Sequence, residues 1–234
     1  MDYDFQKEED VKEFLEKLGV EYRFSCFSEK RPDSCHLLGE YFETIKTDYE
    51  KAMKVFKNNC DEYKFARSCN QYATMALRGR GSKQAREEAP KYYEKGCNFG
   101  SSQACTTGGI LALMNANKKE ANNKPSHIQN AKNGMEMLLR GCDLNNQHAC
   151  YYASAVYITG REEYNIPSDM EKAFKYADRG CELGSIHACG NLSMMYKKGD
   201  GVAKDLTKAK FFETKALEMQ EQFREQIAMQ RESK

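Results

Sequence analysis

The chain has 234 residues, and its 36 Lys and Arg stand against 35 Asp and Glu for a formal charge of +1. That balance excludes recognition of nucleic acid or anionic lipid by bulk charge, and a content of 40% apolar residues with 11% aromatics excludes a disordered chain. No stretch approaches the roughly 18 consecutive apolar residues of a membrane span. The acidic opening MDYDFQKEED has neither the basic-then-apolar start of a secretory leader nor the Arg-rich character of a matrix presequence.

In chain order, the first predicted element is an amphipathic helix over residues 5–18, carrying Phe5, Val11, Phe14, Leu15 and Leu18 on one face, with Gly19 as its stop. With the cysteine that follows, residues 1–31 read as a cap and a first staple. Beyond it the chain repeats. Aligned on Cys35, Cys69, Cys105, Cys150 and Cys189, the small residues Gly39, Ala73, Gly109, Ser154 and Ser193 stand four positions later. Phe42, Ala76, Ala112, Tyr157 and Tyr196 stand seven later. The 0, 4, 7 spacing places these side chains on one helical stripe that a second helix can approach closely.

That second helix is visible upstream of the other cysteine of each pair. Ala52, Ala89, Gly134 and Ala173 lie eight positions before it, and Phe56, Tyr93, Leu138 and Ala177 four before. Gly96, Gly141 and Gly180 directly precede three of these cysteines, where a glycine in the left-handed region would end the helix. Helix pairs are therefore expected at 32–65, 66–101, 102–146, 147–185 and 186–221, with a tail at 222–234. The third is lengthened by the polar stretch Asn115–Ser126, read as a solvated loop. The fold class is all-α, a right-handed helical-repeat solenoid of about five pairs.

All ten cysteines fall into close pairs, separated by 9, 9, 8, 8 and 8 positions, with none left over. Even number and strict phase predict the disulfides Cys26–Cys35, Cys60–Cys69, Cys97–Cys105, Cys142–Cys150 and Cys181–Cys189, each joining consecutive repeats, and hence an oxidising compartment. Ten buried thiols and zinc ligation are the alternatives. Zinc sites usually bring cysteines in pairs two to four residues apart, and no C-x-x-C occurs.

The segments KYYEKGCNFGSSQAC, MLLRGCDLNNQHAC, KYADRGCELGSIHAC and YKKGDGVAKDLTKA resemble Sel1-like repeats, relatives of the tetratricopeptide repeat. With the paired cysteines and the opening DFQKEEDVKEFLEKLGVEYRFSC, the chain resembles a Sel1-repeat family of mitochondrial assembly factors, also described as similar to Helicobacter cysteine-rich β-lactamase-like proteins. The resemblance implies residence in the intermembrane space and import by its oxidative machinery. It also implies a role in building respiratory complex IV as a binding scaffold, with complex IV subunits or assembly factors as partners. A haem-binding carrier or disulfide reductase is the alternative it carries, for which His148 and His187, each two positions before a second cysteine, are the candidate ligands. A secreted Sel1-repeat adaptor is a further one. No catalytic residues are assigned, since a β-lactamase-like serine site needs Ser-x-x-Lys and no serine here has lysine at plus three.

Overall fold

The computed structural model describes residues 3–80, 83–116 and 124–232. The chain divides into two compact units, 1–104 and 105–234. The first contains α1 (Glu8–Phe27), α2 (Pro32–Thr44), α3 (Tyr49–Tyr63), α4 (Ala66–Leu77) and α5 (Lys83–Asn98), and α6 (Ser102–Ala116) begins within it. The second contains most of α6, then α7 (Lys124–Asp143), α8 (Gln147–Thr159), a 3-10 turn at Glu162–Tyr164, α9 (Met170–Glu182), α10 (Ile186–Lys198) and α11 (Leu206–Glu232). Within each unit, helices pack mainly on their neighbours in sequence, as in a helical-repeat solenoid.

The predicted stripes are where the helices meet. A Cβ on Gly39 would lie 2.5 Å from the Phe56 ring, and one on Gly109 would lie 2.8 Å from the Gly134 carbonyl and 2.9 Å from Leu138. The small residue of one helix is thus the socket for the large residue of the next. Leu38, Phe56, Met75, Tyr93, Leu138 and Leu192 are fully buried in these contacts.

The turn inside a helix pair is built the same way three times. Asp48, Asp169 and Asp205 each cap the following helix, accepting from the backbone N–H of Lys51, Lys172 and Lys208 at 3.1, 2.9 and 2.9 Å. The N–H of each capping aspartate donates to the carbonyl of Phe42, Tyr157 or Tyr196. The three lysines then lie over those same rings, at 5.9, 5.5 and 5.3 Å from the centroids. The Asp-x-x-Lys-Ala element is therefore a cap joined to a cation resting on the preceding helix.

Three expectations are corrected. Gly19 does not stop the first helix, which runs on to Phe27; a Cβ there would meet the Tyr41 ring at 2.5 Å, so the glycine admits α2. Asn115, Ala116 and residues 124–126, expected as loop, are helical, while 117–123 lie outside the described residues. The carbonyl of Ala116 accepts from the Tyr164 hydroxyl at 2.8 Å, which ties the end of α6 to the 3-10 turn. Gly96, Gly141 and Gly180 also lie inside their helices, and their role belongs to the junctions described next.

Candidate functional site

The chemistry-bearing residues that recur are the cysteines, and within each unit the structure sets their pairs at junctions between the second helix of one helix pair and the first helix of the next. Four pairs have Cα atoms 4.5–4.8 Å apart with sulfurs at disulfide distance: Cys26 with Cys35, Cys60 with Cys69, Cys142 with Cys150, and Cys181 with Cys189. Cys97 and Cys105 are each disulfide-bonded as well, and no cysteine among the described residues is free. All ten are buried.

At each junction the residue five positions before the second cysteine has a left-handed backbone: Lys30, Lys64, Gly100, Asn145 and Gly184. This common feature explains the two cysteine spacings. In the eight-residue class the turn is a Schellman motif, in which Ser101, Asn146 and Ser185 donate to the carbonyls of Gly96, Gly141 and Gly180. In the nine-residue class one more residue is accommodated before the left-handed position, and Arg31 and Phe65 instead reach back six residues to Ser25 and Asn59.

The seam glycines accept carbonyl bonds in these turns but are chosen for space. Cβ atoms on Gly96, Gly141 and Gly180 would each lie 2.8 Å from the alanine before the next cysteine (Ala104, Ala149 and Ala188). They would also lie 3.2 Å from the Cβ of the preceding junction's second cysteine (Cys69, Cys105 and Cys150). Three helices converge on a point that only a glycine fits.

Where the second junction carries Asn59 in place of glycine and Ser68 in place of alanine, a buried polar network appears that sequence reasoning missed. Asn59 Nδ2 donates to the Pro32 carbonyl at 2.9 Å and to Ser68 Oγ at 2.7 Å, and Ser68 Oγ lies 3.0 Å from His36 Nδ1. With the Ser68 hydroxyl donating to Nδ1, Nε2 carries the proton and faces Glu40 Oε1 at 3.3 Å. The His36 ring is walled by Phe56 and Phe65 at centroid distances of 5.3 and 5.5 Å. Burial, and secondarily the nearby Arg67 charge, lowers its pKa from 6.5 to about 4, with Asp33 opposing.

Above pH 6.5 the ring is neutral in both folded and unfolded chains, and the full stability is present. As pH falls from 6.5 toward about 4, the unfolded chain takes up a proton that the folded chain refuses, so stability is lost. We expect denaturation at pH 4.5 to show about 2 kcal/mol less stability than at pH 7 from this group alone. Comparing the two pH values for the parent and His36→Gln isolates it. The prediction fails if the substitution leaves the pH dependence unchanged.

The next junction is closed by charge. Lys57 meets Glu88 at 2.8 Å and Lys95 meets Asp61 at 2.5 Å, both linking α3 to α5. The Tyr72 and Tyr92 hydroxyls donate to Glu88 and Asp61. Burial, followed by the Asp61 hydrogen bond, pushes the Tyr92 phenol up.

His148 and His187 both lie exposed in the first turns of their helices, α8 and α10. The His187 ring packs on Tyr151 at 5.2 Å and lines a shallow groove with Met194, Ala216 and Leu217; His148 is not among its lining residues. No second histidine lines that groove. The other histidines are engaged elsewhere, His36 in its network and His127 Nδ1 with the Ala116 carbonyl at 2.9 Å. Among the described residues no group of three or more His, Cys, Asp or Glu is placed to hold a metal, and no helix is long and apolar enough to cross a membrane.

The Sel1 repeat model matches residues 32–54, 66–100, 147–185 and 186–220. These correspond to α2 with the start of α3, α4 with α5, α8 with α9, and α10 with α11. Among solved structures, a Sel1 repeat protein from Oxalobacter formigenes superposes with a TM-score of 0.62 at 19% identity, covering 80% of this chain and 73% of that one, a likeness of fold. The Drosophila melanogaster protein named cytochrome c oxidase assembly factor 7 homolog is 42% identical over 97% of this chain and 95% of its own. The Homo sapiens protein named cytochrome c oxidase assembly factor 7 is 36% identical over 92% of each. By fold, repeat motif and near full-length identity, the chain belongs to the cytochrome c oxidase assembly factor 7 family of Sel1-repeat proteins.

Proposed function

We propose that the chain acts in the assembly of respiratory complex IV, as a disulfide-stapled helical-repeat scaffold of the mitochondrial intermembrane space. The observation that carries the reading is identity of 42% and 36%, over nearly the whole chain, to proteins named as cytochrome c oxidase assembly factors. The compartment is supported by the cysteines, since ten buried residues at disulfide distance or bonded belong in an oxidising environment. The intermembrane space is the oxidising compartment in contact with complex IV, and its oxidative import machinery is the partner that would close these bonds. Complex IV subunits or other assembly proteins are the partners that the scaffold would hold.

Affinity purification of the tagged chain from mitochondria is expected to return complex IV subunits or assembly proteins, and depletion is expected to lower assembled oxidase. A purification lacking those proteins, together with normal oxidase in depleted cells, would contradict the proposal.

A further inference from the structure

We infer that the groove between α1 and α3 is a docking site for an acidic peptide segment bearing a large apolar anchor residue. The inference rests on the reading of the chain as a binding scaffold and names where, and for what chemistry, it binds.

The groove has a volume of about 740 Å³, within the range of roughly 300–1,000 Å³ typical of ligand sites. Its floor is Phe42 of α2, which is buried beneath it; Phe27, on the α1 wall, is 63% exposed, and Val55 of α3 faces it from the other side. Four cations ring this apolar patch: Arg23, Lys30, Lys51 and Lys54, with Glu62 the one carboxylate among the lining residues. The Arg23 guanidinium and the Lys51 ammonium stand 5.6 and 5.9 Å from the centre of the Phe42 ring, so the charge is held at the rim of the floor.

The neighbouring seam shows what is missing. Between α3 and α5, Lys57 and Lys95 are answered by Glu88 and Asp61 from the opposite helix, and two tyrosine hydroxyls complete the pairs. Between α1 and α3, Lys51 pairs only with its own helix cap, Asp48, at 2.7 Å. Arg23, Lys30 and Lys54 make no ion pair within 4 Å with any carboxylate among the described residues; Arg23 adds only a weaker pull to the Lys46 hydrogen bond that holds the exposed Glu16 carboxyl, on its own helix, below its usual range. A repeat array that closes one seam with internal carboxylates and leaves the equivalent seam cationic around an exposed phenylalanine is complementary to carboxylates supplied from outside. An extended acidic segment meets that need, its carboxylates reaching the four cations while one aromatic or aliphatic side chain covers Phe27 and Phe42.

The test uses the full-length oxidised protein and a fluorescein-labelled dodecapeptide of glutamates flanking a central Phe-Leu pair, followed by fluorescence polarisation. Binding is expected and should weaken as salt is raised. It should fall at least tenfold in the double variant Arg23→Glu/Lys54→Glu, and again when Phe-Leu in the peptide is replaced by Gly-Gly. Both substituted side chains are exposed, and an unchanged thermal midpoint for the variant verifies its fold. If the double variant does not fold, Lys54→Gln replaces it, with a smaller loss expected.

Absence of binding, or equal binding by parent and folded variant, overturns the inference. So does a peptide that binds no better than cardiolipin-containing phosphatidylcholine vesicles while the variant loses the vesicles, which would make the groove a lipid site. Recovery of complex IV components by the double variant, with no peptide bound by the parent, would overturn the groove alone and leave the proposed function standing.

Discussion

Reduction of the oxidised chain with excess dithiothreitol under mild warming is expected to abolish its helical circular dichroism and its cooperative melting transition. Each cysteine pair closes a loop of about ten residues, counting both cysteines. In the chain-entropy model such a loop contributes roughly 2–3 kcal/mol by restricting the unfolded state. Five such ties together rival the whole stability of a typical domain, about 5–15 kcal/mol. Helices of 12–16 residues such as α4 and α5 are marginal alone and depend on their neighbours, so loosening every junction removes what keeps them folded. A reduced chain that melts at the oxidised temperature would show that packing alone holds the array, and that the cysteines are dispensable to the fold.

The second large effect concerns the glycines at the same junctions. Gly141→Ala is expected to destabilise the oxidised chain by about 1–3 kcal/mol through overpacking. The added Cβ would stand 2.8 Å from the Ala149 Cβ, 3.2 Å from that of Cys105 and 3.3 Å from Thr106 Oγ1. Since α7 and α8 are tied at Cys142 and Cys150, beside the clash, they cannot separate to relieve it. The Ala149→Gly change removes the nearest atom, so the double variant should recover part of the loss. Urea denaturation of the four proteins measures the coupling. Full additivity of the two changes would mean that Gly141 is not there for space.

The helix pairs were legible in the sequence because both stripes, the small residues at Gly39 and Gly109 and the large ones at Phe56 and Leu138, repeat in phase with the cysteines. The meaning of the glycines was not. Gly19, Gly96, Gly141 and Gly180 sit where a helix could end, and composition alone does not separate a glycine needed for left-handed backbone from one needed for close approach. The left-handed positions are occupied by glycine at 100 and 184, but by Asn145, Lys64 and Lys30 elsewhere, residues that give little turn signal on their own. Counting five back from each second cysteine would have found all of them.

The His36 network was hidden for a different reason. Its members come from separate helices, with Ser68 lying 32 positions from His36, and it replaces a Gly–Ala contact found at other junctions. The clue was a departure from the repeat, Asn59 and Ser68 standing where later units have glycine and alanine. The histidines that sequence symmetry did single out, His148 and His187, share a repeat position but lie on exposed surface, because residues two before the second cysteine point away from the seam.

If the cysteine pairs are closed seams in the protein as it exists in the cell, alkylating protease-protected mitochondria without reductant and measuring the intact mass of the recovered chain will show it. A protected chain is expected that takes up no alkyl groups until it is reduced and denatured, and then takes up ten, one for each cysteine. Alkylation of the unreduced chain, or loss of the chain to protease outside the organelle, would contradict it.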